Sequence, residues 1–180
     1  YLDTGAMYRA ATAAVLSNSI DIRDENAVEL CTDSIEIDFD ESGSRVFLNG
    51  VDISSEIRGQ IVTDNVSAVS ALFIVREKMV ELQRKIAGNR NSVVEGRDIG
   101  TVVFPNADFK FFMFADITER AKRRHKDLVR LGIDRTVEDI VQDLKQRDKL
   151  DSTRAVSPLM KAKGAIEIDT TAMTIHEQIN

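Results

Sequence analysis

Seven consecutive residues, Phe109-Lys110-Phe111-Phe112-Met113-Phe114-Ala115, hold four of the chain's eight phenylalanines. A run so apolar and aromatic suits a strand covered on both faces, because a strand with one wet face alternates polar with apolar residues. Ser92-Val93-Val94-Glu95-Gly96 reads as another buried strand, and Ala165-Ile166-Glu167-Ile168-Asp169 as a third. Capping boxes open helices at Asp116-x-x-Glu119, Thr136-x-x-Asp139 and Thr174-x-x-Glu177, where a side-chain acceptor meets the free N–H groups of the first turn. Strands and helices in alternation predict an α/β fold, a parallel sheet flanked by helices.

The first half is organised differently. Met7 to Leu16 is rich in alanine and predicts a helix just after an Asp3-Thr4-Gly5 turn, and Asp24 to Leu30 predicts a shorter one. Ser34 to Asp40 and Arg45 to Asn49 alternate with period two around Glu41-Ser42-Gly43-Ser44, the pattern of an antiparallel hairpin. Val51 to Ile53 reads as a third short strand, Ser54 to Leu72 and Ile74 to Ile86 as helices, and Gly88 as the stop of the latter. The hairpin lobe is therefore an insert in the α/β frame.

With 180 residues, 43% apolar and 30% charged, the chain suits one globular domain with an insert. No apolar run approaches the roughly 18–20 residues of a membrane span. The opening Tyr1-Leu2-Asp3 lacks the basic and apolar regions of a signal peptide. Cys31 stands alone and reads as a small buried hydrophobe in a reducing cytoplasm. The net charge of −6 is unevenly spread: residues 1–75 hold four arginines, no lysine and thirteen acids, while residues 76–180 hold twenty basic side chains against seventeen acids. Arginines spaced singly suit a small-phosphate pocket, not the broad basic face of a nucleic-acid binder.

Four fragments carry the chemistry. Leu2-Asp3-Thr4-Gly5-Ala6 is also how an aspartic protease presents its catalytic carboxylate, but that chemistry needs two such aspartates on an all-β domain. Here a helix follows at once. Gly96-Arg97-Asp98-Ile99-Gly100 follows a strand, where α/β sheets collect ligands. Its glycines allow close approach and its guanidinium can fork onto a phosphate; the alternative is a charged turn with an internal Arg–Asp pair. Arg147, Asp151 and Arg154 share one helix face at spacings of four and three, which an ordinary salt-bridge stripe would also explain. Ile168-Asp169-Thr170-Thr171 closes the last strand. Arg120, Arg123 and Arg124 begin a basic helix that is either a solvated face or a phosphate contact. His125 and His176 read as solvated, and two histidines with one distant cysteine do not make a zinc site.

These fragments, with Thr101-Val102-Val103-Phe104-Pro105 and the stretch Arg147 to Leu159, resemble the bacterial cytidylate (CMP) kinases of the nucleoside monophosphate kinase group. The resemblance runs from Tyr1 to about His176 and implies a single kinase-like domain over 1–180, an inserted monophosphate-binding lobe at about 30–72 and a short lid at about 146–158. It implies transfer of the γ-phosphate of ATP to CMP or dCMP, with Mg²⁺, by a cytoplasmic monomer without nucleic-acid or membrane partners. By resemblance, Thr4, Arg9 and Arg97 face the acceptor's phosphate, Ser67, Arg76 and Asp98 read the cytosine, and Asp151 takes the ribose hydroxyls. Arg147 and Arg154 bridge sugar and phosphates, and with Arg9 and Arg97 form the catalytic set. Glu95 falls where the family carries a carboxylate near the magnesium shell and would hold a metal-bound water, the alternative being a buried glutamate paired with a neighbouring arginine; Arg124 is a further candidate for ATP. The phosphate loop G-x-x-x-x-G-K-[ST] occurs nowhere in the 180 residues. In the family it lies on the first strand and helix, before the position of Tyr1. The expectation is a kinase whose ATP anchor is missing and whose isolated chain is inactive; the alternative is a nucleotide-binding fragment that transfers nothing.

Overall fold

The computed structural model describes residues 1–88 and 90–179. Its parallel strands form two pairs. Strand β1 (Leu2–Asp3) runs beside β5 (Val94–Glu95), with Leu2 opposite Val94 and Asp3 opposite Glu95. Strand β6 (Phe111–Phe114) runs beside β7 (Ile166–Asp169), from Phe111 opposite Ile166 to Phe114 opposite Asp169. Between them in sequence, β2 (Ile37–Phe39), β3 (Val46–Leu48) and β4 (Val51–Asp52) make the expected antiparallel hairpin and third strand. Among the described residues the two parallel pairs share no hydrogen bonds, so β6 has one strand neighbour. That corrects the expected burial: Phe111 and Met113 are 58% and 59% exposed, and Val93 is 71% exposed.

Local sequence explains most element ends. Helix α1 (Thr4–Ser17) begins two residues after β1 starts, because the Asp3 carboxylate accepts from the Ala6 N–H and caps it. The expected Asp-Thr-Gly turn is therefore a helix start. Helix α2 (Glu25–Ser34) is capped in the same way by Asp24 on Ala27. The helix expected over Ser54–Leu72 breaks at Gly59, leaving a 3₁₀ turn at Glu56–Arg58 and helix α3 (Gln60–Ala71). Helix α4 (Phe73–Ala87) stops at Gly88, whose φ of +54° favours glycine. Asp116 caps α5 (Ile117–Arg130) and Thr136 caps α6 (Val137–Thr153), each by accepting from backbone N–H groups of the first turn. At α7 (Ile175–Ile179) the box is fully reciprocal: Thr174 accepts from the Glu177 N–H, and Glu177 accepts from the Thr174 N–H.

The main core gathers around α1, whose alanines let α3 and α4 approach closely; Met7, Ala10, Val15, Val69, Val75 and Met79 are buried there. Cys31 belongs to this core, as expected. A smaller cluster of Ala121, Leu128 and Ile140 joins α5 to α6. No helix among the described residues is long and apolar enough to cross a membrane.

Candidate functional site

Burial selects the first group. Arg76 and Asp98 are 2% and 3% exposed, and the Arg76 Nη2 donates to Asp98 Oδ2 at 2.5 Å. As a lone helix cation Arg76 would sit in water; here Nη1 donates to the Ser70 carbonyl and the Tyr8 ring lies 5.1 Å from the guanidinium. Asp98 is fixed through its backbone, because its carbonyl accepts from the N–H groups of Thr101, Val102 and Val103 in a π-helical turn at Ile99–Val103. Arg84 ties that turn to α4 by donating to the carbonyls of Val102 and Val103. Ser67 is half-buried on α3, one turn before Ser70.

A second group is rich in positive charge. The Arg97 Nε stands 3.3 Å from Asp151, the Arg147 Nε 3.9 Å and the Arg154 Nη1 3.6 Å, so the three arginines converge on one carboxylate. Asp148 adds a second carboxylate, 3.8 Å from Arg97 and 2.5 Å from Arg120. Arg9 anchors on the Ile57 carbonyl and Thr63 Oγ1, both at 3.0 Å. Burial, then the nearby Arg147 and Arg124 charges, lower its pKa. Burial and Arg97 do the same to Arg147, and burial and Arg76 to Arg154. All three stay protonated; burial is the main cause in each, and neighbouring arginines add to it. Arg147 Nε and Arg154 Nη2 are buried donors without a hydrogen-bond partner. Such a cluster attracts an anion. Arg154 senses both Asp151 and the Arg76–Asp98 pair, and so joins the two groups.

Other expected residues lie differently. The Thr4 hydroxyl is buried and donates to the Glu95 carbonyl at 2.7 Å, while Arg9 points to the 3₁₀ turn and α3. Gly96 also acts inwardly: a Cβ there would stand 2.3 Å from Thr4 Oγ1 and 2.8 Å from Ile99 Cδ1. The close approach it allows is to the protein's own α1, not to a ligand. Glu95 is exposed at the end of β5, which corrects the alternative of a buried glutamate paired with an arginine. Among the described residues no three acidic, histidine or cysteine side chains gather to hold a metal. Arg123 donates to the Thr170 carbonyl, so it braces β7. His125 is half-buried with Nδ1 2.9 Å from the Arg135 carbonyl, which corrects its reading as solvated. A separate groove of about 790 Å³ runs between β2 and α4 past Phe39, Lys78 and Leu82, and no candidate residue lines it.

Sequence reasoning assigned nothing to Tyr8, Gln83, Asp148 and Arg58. Gln83 had a signal: it lies seven residues after Arg76, so both fall on the apolar stripe of α4 with Val75, Met79 and Ala87. Arg58 lies near enough to lower the pKa of Arg9 further.

Paired parallel strands flanked by helices, with arginines gathered beside a buried arginine–aspartate pair, define an α/β protein with a candidate phosphate site. The cytidylate kinase family profile matches residues 1–180. The cytidylate kinase of Fusobacterium nucleatum is 46% identical over 180 residues, covering 100% of this chain and 82% of its own length. That of Lactobacillus johnsonii is 48% identical over 181 residues, 99% of this chain and 79% of its own length. The Caldanaerobacter subterraneus enzyme is 48% identical over 179 residues, 99% and 79% respectively. The chain belongs to the cytidylate kinase family.

Proposed function

We propose that this protein is a phosphotransferase that binds CMP or dCMP and receives the γ-phosphoryl group of ATP on the acceptor's phosphate, giving CDP or dCDP and ADP. The observation that carries the reading, beside family membership, is one buried Arg76–Asp98 pair joined through Arg154 to a cluster of arginines around Asp151. A guanidinium only donates and a carboxylate only accepts. Arg76 therefore suits the acceptor atoms of a cytosine edge, and Asp98 its exocyclic amine, with Ser67 alongside. Arg9, Arg97, Arg147 and Arg154 hold and neutralise the phosphates, and Asp151 orients the sugar.

The attacking phosphate oxygen is already anionic near neutral pH, so no side-chain base is needed. Rate comes from in-line positioning and charge stabilisation in a site shielded from water. The lobe at about 30–72 and the lid at about 146–158 close over the nucleotide and exclude water as a competing acceptor. Mg²⁺ takes only one or two carboxylates, filling its remaining places with phosphates and water. The single exposed Glu95 fits that donor set, and the ion would supply neutralising charge on the ATP phosphates. Arg124, whose charge acts on Arg9 and Arg147, is the candidate for a contact to the ATP phosphates. Thr4 acts from behind, holding β1 to β5. The reading takes the protein to act as a monomer, and the lone thiol of Cys31 favours the cytoplasm.

Comparing kcat/KM for CMP, dCMP, UMP, AMP and GMP tests the assignment. CMP and dCMP should lead by large factors, because a site built to pair polar groups rejects analogues that leave them unpaired by up to about 10⁴–10⁵. Equal use of AMP would sink it.

A further inference from the structure

Helix α4 grips the segment 98–103 at two places. Near the start of the helix, Arg76 Nη2 donates to the Asp98 carboxylate at 2.5 Å, both side chains being buried. About two turns further along, Arg84 Nε donates to the Val103 carbonyl at 3.0 Å and Arg84 Nη2 to the Val102 carbonyl at 2.8 Å. Arg84 is exposed and lies outside the proposed ligand contacts. Its two bonds go only to backbone.

That backbone is the π-helical turn at Ile99–Val103, which Asp98 precedes directly. Such turns are rare and occur mostly singly, frequently at functional sites. The Val102 and Val103 N–H groups both donate to the Asp98 carbonyl, at 2.8 and 3.3 Å. The carbonyls of the same two residues stand at the end of the turn, where a helix leaves its acceptors unpaired. Arg84 satisfies them from another element, with the positive charge that a helix C-terminus favours. The bonds therefore close a ring. It runs from α4 through Arg84 to Val102 and Val103, through their N–H groups to Asp98, and through the Asp98 carboxylate and Arg76 back to α4. Gly100 fits the turn closely on another side: a Cβ there would stand 3.0 Å from the Ala162 Cβ. Two arginines of one helix thus set both the backbone and the carboxylate of Asp98.

We infer that Arg84 is a specificity-determining positioning residue, which caps the π-helical turn and so fixes the Asp98 carboxylate against the base edge of a pyrimidine nucleotide. The inference rests on the proposed meeting of Arg76 and Asp98 with cytosine. Cytosine offers an amine donor where uracil offers a carbonyl acceptor. A carboxylate, which only accepts, separates the two only while it is held in register. A misplacement of about 1 Å can cost as much as 10²-fold. Uncapping the turn should therefore weaken CMP and leave the already mismatched UMP nearly unchanged.

The test measures dissociation constants for CMP and UMP by calorimetry, with melting temperatures, on the full-length protein and its variants. Arg84→Met keeps an unbranched apolar stem and removes the donors. For it we expect the CMP constant to rise roughly five- to twentyfold, well inside that limit, while UMP changes less than about twofold. Arg84→Lys keeps the charge but not the planar fork, and should recover part of the lost CMP affinity. Neither substitution touches the core, because Arg84 is exposed. If the unaltered protein prefers CMP and Arg84→Met keeps that preference, the inference is overturned and the cytosine reading stands. If the unaltered protein binds CMP and UMP equally, the cytosine reading fails and the inference falls with it. Equal weakening of CMP and UMP together with a drop in melting temperature would make Arg84 merely structural and overturn the inference.

Discussion

Gly96 lies where β5 meets α1, and any Cβ there would overlap the Thr4 hydroxyl that bonds to Glu95. Gly96→Ala should cost about 1–3 kcal/mol, the usual penalty of overpacking. At roughly 2–4 °C per kcal/mol for a chain of this size, calorimetry would show the loss as a lower melting temperature. Asp151 carries a different load, since Arg97, Arg147 and Arg154 all lean on it within 3.9 Å. An exposed helix pair is worth a few tenths of a kcal/mol, but Asp151 is only 7% exposed. Asp151→Asn should cost about 1–3 kcal/mol, between the exposed and buried cases. It should also lower kcat/KM for CMP by about tenfold or more. Normal kinetics with only a lost melting temperature would make the residue structural. Tyr8 gives a pH signature: its folded pKa of about 12 exceeds the ordinary value of 10. The unfolded chain loses that proton first, so stability is complete below pH 10 and falls as pH rises from 10 towards 12. The slope is about 1.4 kcal/mol per pH unit. Denaturant titrations at pH 9.5 and 11 should show a smaller drop for Tyr8→Phe than for the unaltered chain.

The site depends on where its elements start and stop. Helix α6 carries Arg147 and Asp151 and is capped by Thr136, which accepts from the Asp139 N–H. Thr136→Ala should cost about 1 kcal/mol and leave the CMP-to-UMP preference unchanged, because the cap lies three turns from Arg147 and touches no proposed contact. A change in that preference would mean that the cap sets the lid's position. Elements of this kind were legible in the sequence, because a capping box, a period-two hairpin and the Gly88 stop depend on neighbours in the chain. The break at Gly59 was less so, since a glycine inside an apolar-periodic stretch is often tolerated. The depth of β6 is not written in its composition. Its aromatic run fits a strand with two neighbours, but composition does not say which neighbours are there, and β7 alone leaves Phe111 and Met113 open.

At the scale of the molecule, the 180 residues carry the parts proposed for the acceptor nucleotide. The arginine cluster, Asp151 and the Arg76–Asp98 pair come together in the described residues, whereas no G-x-x-x-x-G-K-[ST] stretch occurs among the 180 residues. A polypeptide of these residues alone should bind CMP measurably and show neither ATP binding nor CDP formation. Loss of one charge-stabilising arginine in phosphoryl transfer costs about 10³–10⁵ in rate, and a whole phosphate cradle contributes more. Steady ATP-dependent CDP production by that purified polypeptide would show that its own arginines suffice to hold ATP.

What the sequence determined by itself was local: the α/β alternation, the inserted hairpin, the caps, and the shared face of Arg147, Asp151 and Arg154, all of which follow from spacing along one helix or strand. Only the tertiary structure decided that Arg76 is buried against Asp98, 22 positions away. It also turned Gly96 toward Thr4, and buried Gln83 on the face of α4 that carries Arg76. The reason is physical. A guanidinium on an isolated helix belongs in water, and it can be buried only where another element brings a carboxylate, a carbonyl and an aromatic ring to meet it.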